Sequence, residues 1–300
     1  MQPLPADFIH NIEHSHKEGK AWLQALPSLL ADAAQRWGLT LGKPFLLSFN
    51  YVCAARDEAT GLELVLKVGL PNPELTSEIE ALRLYDGRGA VRLIDSDAGK
   101  GLLLLERLQP GTMLLEVDDD AHATEIAAGV MRSLWRPAPQ PNNLILLQNW
   151  FDALGQYRQR FGETGPAPWA LFQTAEGLAA DFFAERERHV VLHGDFHHYN
   201  LLKSGADWKV IDPKGVIGPR GYEVGPLLVN PLGGLLHGPD AKQISERRMS
   251  ILAGELGMER SRIRGWAIAH AVLSACWSFD EGGRGGEHAL HCAELFMRIR

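Results

Sequence analysis

The sequence has only three cysteines in 300 residues, Cys53, Cys276 and Cys292, odd in number and far apart. That excludes a disulfide framework or a zinc ribbon and predicts three reduced structural thiols. Positive charge is not in excess: 30 Lys and Arg against 37 Asp and Glu leave a net charge of −7. A dedicated DNA-binding protein would carry a basic face instead. The acidic balance suits a cationic substrate but places no site. Long hydrophobic runs are also missing. A run such as Leu102–Leu105 falls far short of the roughly 20 residues that span a bilayer. Met1–Asp7 has neither the basic region nor the apolar core of a signal peptide. The expectation is a cytoplasmic protein that contacts neither membrane nor nucleic acid. Apolar residues themselves are ample, at 45% against 22% charged, which excludes a disordered chain. At roughly 150 residues per domain, the length predicts two domains or lobes.

Local patterns divide the chain. Trp22, Leu23 and Leu26, then Leu29, Leu30, Ala33, Ala34 and Trp37, make apolar stripes at helical spacing. Pro27 is expected at the start of the second helix and Gly38 at its end. Phe45–Ser48, Tyr51–Arg56 and Leu62–Val68 read as strands of an antiparallel meander. A helix follows from Pro73 to Tyr85, capped by Asn72 and stopped at Gly87. Ala90–Asp95 and Leu102–Glu106 read as two more strands. Arg107-Leu108-Gln109-Pro110-Gly111 then breaks the pattern. The lobe boundary is placed there, giving 1–107 and 108–300. Beyond it the chain is mostly helical. Asp118 or Asp119 caps a helix to Trp135, and further helices are expected near 148–161, 168–187, 241–257, 261–279 and 287–299. A dense loop region with two short strands, 189–239, interrupts them. Gly282–Gly286 reads as a helix–helix turn.

That loop region carries the strongest motif. Apolar Val190-Val191-Leu192 leads into His193-Gly194-Asp195-Phe196-His197-His198-Tyr199-Asn200, and Trp208-Lys209-Val210-Ile211-Asp212-Pro213 follows. A buried strand thus delivers a tight turn with an acid at its tip, an amide five residues on and a second acid at the end of a short strand. Phosphoryl transfer from ATP needs such parts: a carboxylate to orient the attacking hydroxyl, and oxygen ligands for a magnesium ion. Asp195 suits the first role, Asn200 and Asp212 the second. His193, His197 and His198 raise the alternative of a zinc hydrolase, but no second ligand motif accompanies them. His193 and His197 are expected to hold the loop by hydrogen bonds, and His198 to face solvent.

The stretch 190–216 resembles the catalytic and metal-binding loops of aminoglycoside phosphotransferases, and in wording the aminoglycoside/hydroxyurea antibiotic resistance kinases. Trp22-Leu23-Gln24-Ala25-Leu26-Pro27, Val65-Leu66-Lys67, Gly87-Arg88-Gly89-Ala90-Val91-Arg92-Leu93 and Ala275-Cys276-Trp277-Ser278 extend the likeness over nearly the whole chain. The resemblance implies an α+β, protein-kinase-like fold: a small antiparallel sheet with one helix, and a larger helical lobe. It also implies an ATP- and magnesium-dependent kinase of a small hydroxyl-bearing molecule, with streptomycin the first acceptor to try. A metabolic sugar, sugar-amine or amino-alcohol kinase, and a catalytically silent nucleotide binder, are the alternatives.

A kinase-like sheet needs a lysine for the α- and β-phosphates. Leu62, Leu64, Leu66 and Val68 share one strand face, which leaves Lys67 and Val65 on the other. In the next helix Leu75, Ile79, Leu82 and Tyr85 form the apolar stripe. Glu78 falls inside it and Glu80 outside. A carboxylate on a buried face is costly unless paired, so Glu78 is the expected partner of Lys67. Glu106 and Leu108 would offer hinge backbone groups to the adenine edge. Protein kinases carry a G-x-G-x-x-G loop over the phosphates; here the turn is Ser48-Phe49-Asn50-Tyr51, and Ser48 or Asn50 would approach a phosphate. Lys214 would touch the transferring phosphate or the acceptor. Glu223 reads as a brace of the catalytic loop. For a cationic acceptor the candidates are Asp280 and Glu281, with Trp277 as an aromatic wall.

Overall fold

A computed structural model describes residues 3–280 and 286–300. Two helices come first, α1 (Ala6–Ser15) and α2 (Gly19–Trp37). Pro27 lies inside α2 rather than at its start. An interior proline costs about 3 kcal/mol, but Trp22, Leu26, Leu30 and Ala33 are buried on one continuous face across it, and that burial outweighs the lost bond. Gly38 stops α2, its N–H donating to the Ala34 carbonyl.

Five strands follow: β1 (Leu39–Pro44), β2 (Tyr51–Asp57), β3 (Glu63–Val68), then β4 (Leu93–Asp97) and β5 (Leu102–Glu106) after the helix α3 (Pro73–Tyr85). They form one antiparallel sheet in the order β1-β2-β3-β5-β4. The first strand therefore precedes the expected one. Phe45–Ser48 is not a strand, because Phe45 and Leu46 are exposed and only Leu47 turns inward. Ala90–Asp95 is likewise shifted: Ala90 makes an isolated parallel bridge to Val210, and β4 begins at Leu93. Leu64, Leu66 and Val68 face α1 and α2, forming one core with Phe8, Ile12, Leu26 and Leu30. The opposite face meets α3 through Leu75, Ile79 and Leu82. Asn72 caps α3, its Oδ1 accepting from the Leu75 N–H at 2.8 Å.

Two smaller sheets and seven helices make up the rest of the described chain. The elements are β6 (Pro110–Met113), α4 (Asp120–Leu134), β7 (Ile145–Leu146), α5 (Leu147–Phe161), α6 (Trp169–Ala184), β8 (Val190–Leu192), β9 (Leu201–Ser204), β10 (Asp207–Val210), β11 (Val216–Gly218), α7 (Val224–Leu228), α8 (Ala241–Leu256), α9 (Arg260–Asp280) and α10 (Gly286–Met297). The sheets run β10-β9-β6 and β7-β11-β8. The loop region 189–239 thus holds four short strands and a short helix rather than two strands alone. Asp119 caps α4. Helix α9 is the central member, packed against α5, α6, α7, α8 and α10, with Trp266 fully buried on it. All three cysteines are buried and none forms a disulfide. Among the described residues no helix is long and apolar enough to cross a membrane.

Candidate active site

Strand alternation carries Lys67 to the α3 side of the sheet, where its side chain is 2% exposed. Its Nζ donates to Glu78 Oε1 at 2.6 Å and to Asp212 Oδ1 at 3.0 Å. Burial alone would lower the lysine's pKa, but Asp212 and Glu78 together hold it above its ordinary value, so the ammonium stays charged. Glu80 lies outside this group and accepts from the Asn143 N–H at 2.9 Å.

Strand β8 ends at the turn that carries Asp195. Glu223, fully buried, accepts from the His193 N–H at 2.8 Å and the Gly194 N–H at 2.9 Å. It braces the turn as expected, and burial pushes its carboxyl up to about 7. His193 Nδ1 accepts from the Asp195 N–H at 3.2 Å, which leaves Nε2 to donate to the Ile211 carbonyl at 2.8 Å. Burial lowers this ring to about 4, in keeping with a neutral imidazole. Gly194 has a φ of 86°, and a Cβ there would lie 2.8 Å from Val216 and 2.9 Å from Trp150. Only glycine satisfies both constraints.

Asp195 presents a side chain that is 43% exposed, with Oδ1 3.3 Å from His197 Nε2. Its surroundings would raise its pKa by desolvation. The His197 hydrogen bond and the positive charge nearby overcome this and hold the carboxyl well below the usual carboxylate range. Asn200 Nδ2 donates to the Asp195 carbonyl at 2.9 Å, while its Oδ1 has no hydrogen-bond partner among the described residues. The Ile211 N–H donates to the Asn200 carbonyl at 2.9 Å, joining the two loops. Asp212 adopts a φ of 57°, unusual for a residue other than glycine. Its pKa is lowered, with Lys67 the main pull against desolvation. The unpartnered Asn200 oxygen and the half-exposed Asp212 carboxylate are hard oxygen donors, a set that fits magnesium or calcium. His193, by contrast, spends both ring nitrogens on the protein. Among the described residues no group of three or more His, Cys, Asp or Glu side chains is placed to hold a metal.

His198 does not face solvent. It is buried, the charges of Asp120 on α4 and Arg248 on α8 act on its ring, and its Nδ1 has no partner. Burial, with Arg248 next, lowers the ring to about 3. The Glu106 carboxylate accepts from the Arg92 N–H and from Lys209 Nζ, so the side chain is occupied within the protein. Leu108 packs with Leu103 and Leu105, and half-buried Val65, Leu202 and Ile211 lean on the same cluster. This apolar wall between the sheet and the loops was not singled out from the sequence. Its signal was there: Val65 shares the Lys67 face, Leu202 lies two residues after Asn200, and Ile211 precedes Asp212.

Ser48 and Asn50 lie in the bend between β1 and β2. The Ser48 carbonyl accepts from Asn11 of α1 at 3.2 Å, and Asn50 crowds Gly69. Neither bonds to Lys67 or to the loop of Asp195. The Lys214 N–H donates to the His193 carbonyl at 2.7 Å, and its charge reaches Asp195 and Asp212. Trp277 is half-buried, edge-on to Trp150 at 5.6 Å. Trp150 in turn abuts Gly194. Glu281 and the Asp280 side chain lie outside the described residues.

The model of the aminoglycoside/hydroxyurea antibiotic resistance kinase family matches residues 50–282. A streptomycin 6-kinase of Streptomyces glaucescens is 30% identical over 284 residues, covering 94% of this chain and 91% of that protein. A hydroxyurea phosphotransferase of Kitasatospora aureofaciens is 30% identical over 290 residues, covering 93% and 81%. Among solved structures, an amicoumacin kinase in complex with AMP-PNP, Ca2+ and its antibiotic superposes with a TM-score of 0.65 at 16% identity, covering 95% of each chain. The fold is the protein-kinase-like one that the sequence led us to expect.

Proposed function

The chain belongs to the aminoglycoside/hydroxyurea antibiotic resistance kinase family, an ATP-dependent phosphotransferase with an alcohol acceptor, and from that premise we propose its acceptor and the role of each site residue. The acceptor is a small, hydroxyl-rich cationic molecule of the aminoglycoside class, streptomycin at its 6-hydroxyl first. Two curated relatives named streptomycin 6-kinase support this choice. The observation that carries the mechanism is the triad of buried Lys67 and Glu78 with half-exposed Asp212, set beside the loop of Asp195 and Asn200.

In this reading the nucleotide enters a cleft between lobes 1–107 and 108–300. Val65, Leu108, Leu202 and Ile211 form the apolar floor for its base, and the backbone of Glu106 and Leu108 meets the base edge. Lys67 is held charged and oriented by Glu78 for the α- and β-phosphates. Asn200 and Asp212 are the metal ligands; a magnesium ion there would offset charge on the β- and γ-phosphate oxygens. Asp195 is ionised, and it accepts and orients the acceptor hydroxyl for in-line attack on the γ-phosphorus. That hydroxyl's proton passes to the carboxylate as the new O–P bond forms and the bridging bond to ADP breaks. Lys214, with its charge close to both acids, steadies the transferring phosphoryl group. Ser48 and Asn50 approach the phosphates from above. Trp277, edge-on to Trp150 beside the Asp195 turn, offers a flat wall to the acceptor, with Asp280 and Glu281 as its cation partners.

The test is turnover of magnesium-ATP with streptomycin, followed by mass spectrometry of the acceptor. We expect the gain of one phosphate, and a loss of at least about 1,000-fold in Asp195→Ala with nucleotide binding retained. Unchanged turnover in Asp195→Ala would remove the proposed role. Transfer to a sugar-amine or amino-alcohol but not to streptomycin would place the enzyme in metabolism.

A further inference from the structure

We propose that Ser77 is a positioning residue that latches α3 to the metal-binding loop, and so sets the Lys67–Glu78–Asp212 triad; the inference rests on the roles proposed above. Ser77 is fully buried and immediately precedes Glu78. Its Oγ donates to the Gly215 carbonyl and accepts from the Ile145 N–H at 3.3 Å. The same Ile145 N–H reaches the Gly215 carbonyl at 3.1 Å, so the three groups close on one another. The knot therefore joins α3, β7 and the segment Asp212-Pro213-Lys214-Gly215.

Backbone shape supports a built contact. Gly215 has a φ of 65°, and a Cβ there would lie 2.3 Å from the Ser77 carbonyl oxygen. The loop can approach α3 this closely only without a side chain. On one side of the knot Glu78 is the next residue. On the other, Lys214 is the next and Asp212 lies three back. The hydroxyl thus fixes the spacing between the two carboxylates that share Lys67 Nζ. A serine serves no hydrophobic purpose at such a buried position, and its loss would leave the Gly215 carbonyl with the Ile145 N–H alone.

The experiment compares wild type with Ser77→Ala, Ser77→Cys and Ser77→Thr. Calorimetry measures ATP binding with and without magnesium, and amide hydrogen exchange follows residues 212–216 in the nucleotide-free protein. Ser77→Ala and Ser77→Cys should weaken magnesium-ATP binding by about tenfold, the worth of one net hydrogen bond. Metal-free ATP binding should change less than about twofold, since a general packing defect would weaken both alike. Exchange at 212–216 should speed up in both variants. Ser77→Thr, which keeps the hydroxyl, should restore magnesium-ATP binding towards wild type. Unchanged magnesium-ATP binding in Ser77→Ala and Ser77→Cys, or equal loss with and without the metal, would overturn the latch. A wild type whose ATP binding gains nothing from magnesium would instead refute the metal-site reading, and the exchange comparison would still decide the latch.

Discussion

Removing the Glu78 carboxylate tests the centre of the argument. Lys67 Nζ is buried between Glu78 at 2.6 Å and Asp212 at 3.0 Å, and only Asp212 is well exposed, at 45%. Taking one partner from a buried pair costs about 3–5 kcal/mol, because it leaves a charge uncompensated. Here Asp212 remains, so Glu78→Ala should sit at the lower end, about 3 kcal/mol. For a chain of this size that lowers Tm by roughly 6–12 °C. The ammonium would also swing towards Asp212 and away from the phosphates. Loss of one oriented charge donor costs on the order of 100-fold in kcat/KM for ATP. Glu80→Ala is the control, because its carboxylate serves one exposed backbone N–H and should cost about 1 kcal/mol or less. Circular dichroism melts and a coupled ADP-release assay measure both effects. If Glu78→Ala and Glu80→Ala melt together and turn over alike, the buried-pair reasoning is wrong.

Acid should unfold the protein early. Burial depresses His193 and His270 to about 4 and His198 to about 3. Below about pH 6.5 the unfolded chain takes up protons that the native state refuses, so stability is lost as pH falls. Each group contributes up to about 1.4 kcal/mol per pH unit. Glu223, raised to about 7, acts in the opposite sense over roughly pH 7 to 4.5, and Glu78, raised by burial, adds to it. The three histidines outweigh the two acids, so the net is a loss of stability. Urea midpoints at pH 7, 6 and 5 check it, and a midpoint that holds steady from pH 6.5 to 5 would contradict it. The thiols give a second assay. Burial raises Cys53 to about 11 and Cys292 to about 12, so both should resist an aromatic disulfide reagent at pH 8 until denaturant is added. Rapid native labelling of either would refute their burial.

Much of the site was legible because it rests on short-range rules. Period-2 alternation placed Lys67 and Val65 on one face, and period-3.6 spacing chose Glu78 over Glu80. The Asn72 cap and the His193–Asn200 turn are local as well. What escaped depends on contacts across the chain. Pro27 enters a helix because a face on either side of it is buried. His198 is buried, and the charges that act on its ring lie about 80 positions before and 50 after it. Ser77 reads as a neutral helix residue until Gly215 is brought against it. The strand shifts at Phe45 and Ala90 have the same origin, since exposed Leu46 finds no packing partner while Ala90 finds Val210.

Helix α3 lies under the sheet yet is sewn to the other side. Besides the Ser77 contact, Arg136 donates to the carbonyls of Leu84 and Tyr85. Just beyond the helix, Val210 exchanges backbone bonds with Gly89 and Val91. Lys67, however, rides on the sheet. Helix α3 is also packed to that sheet through Leu75, Ile79 and Leu82. Lys67 is thus held from both sides, by Glu78 on the helix and by Asp212 on the loop. A tilt of the sheet against the loops would act directly on that one ammonium.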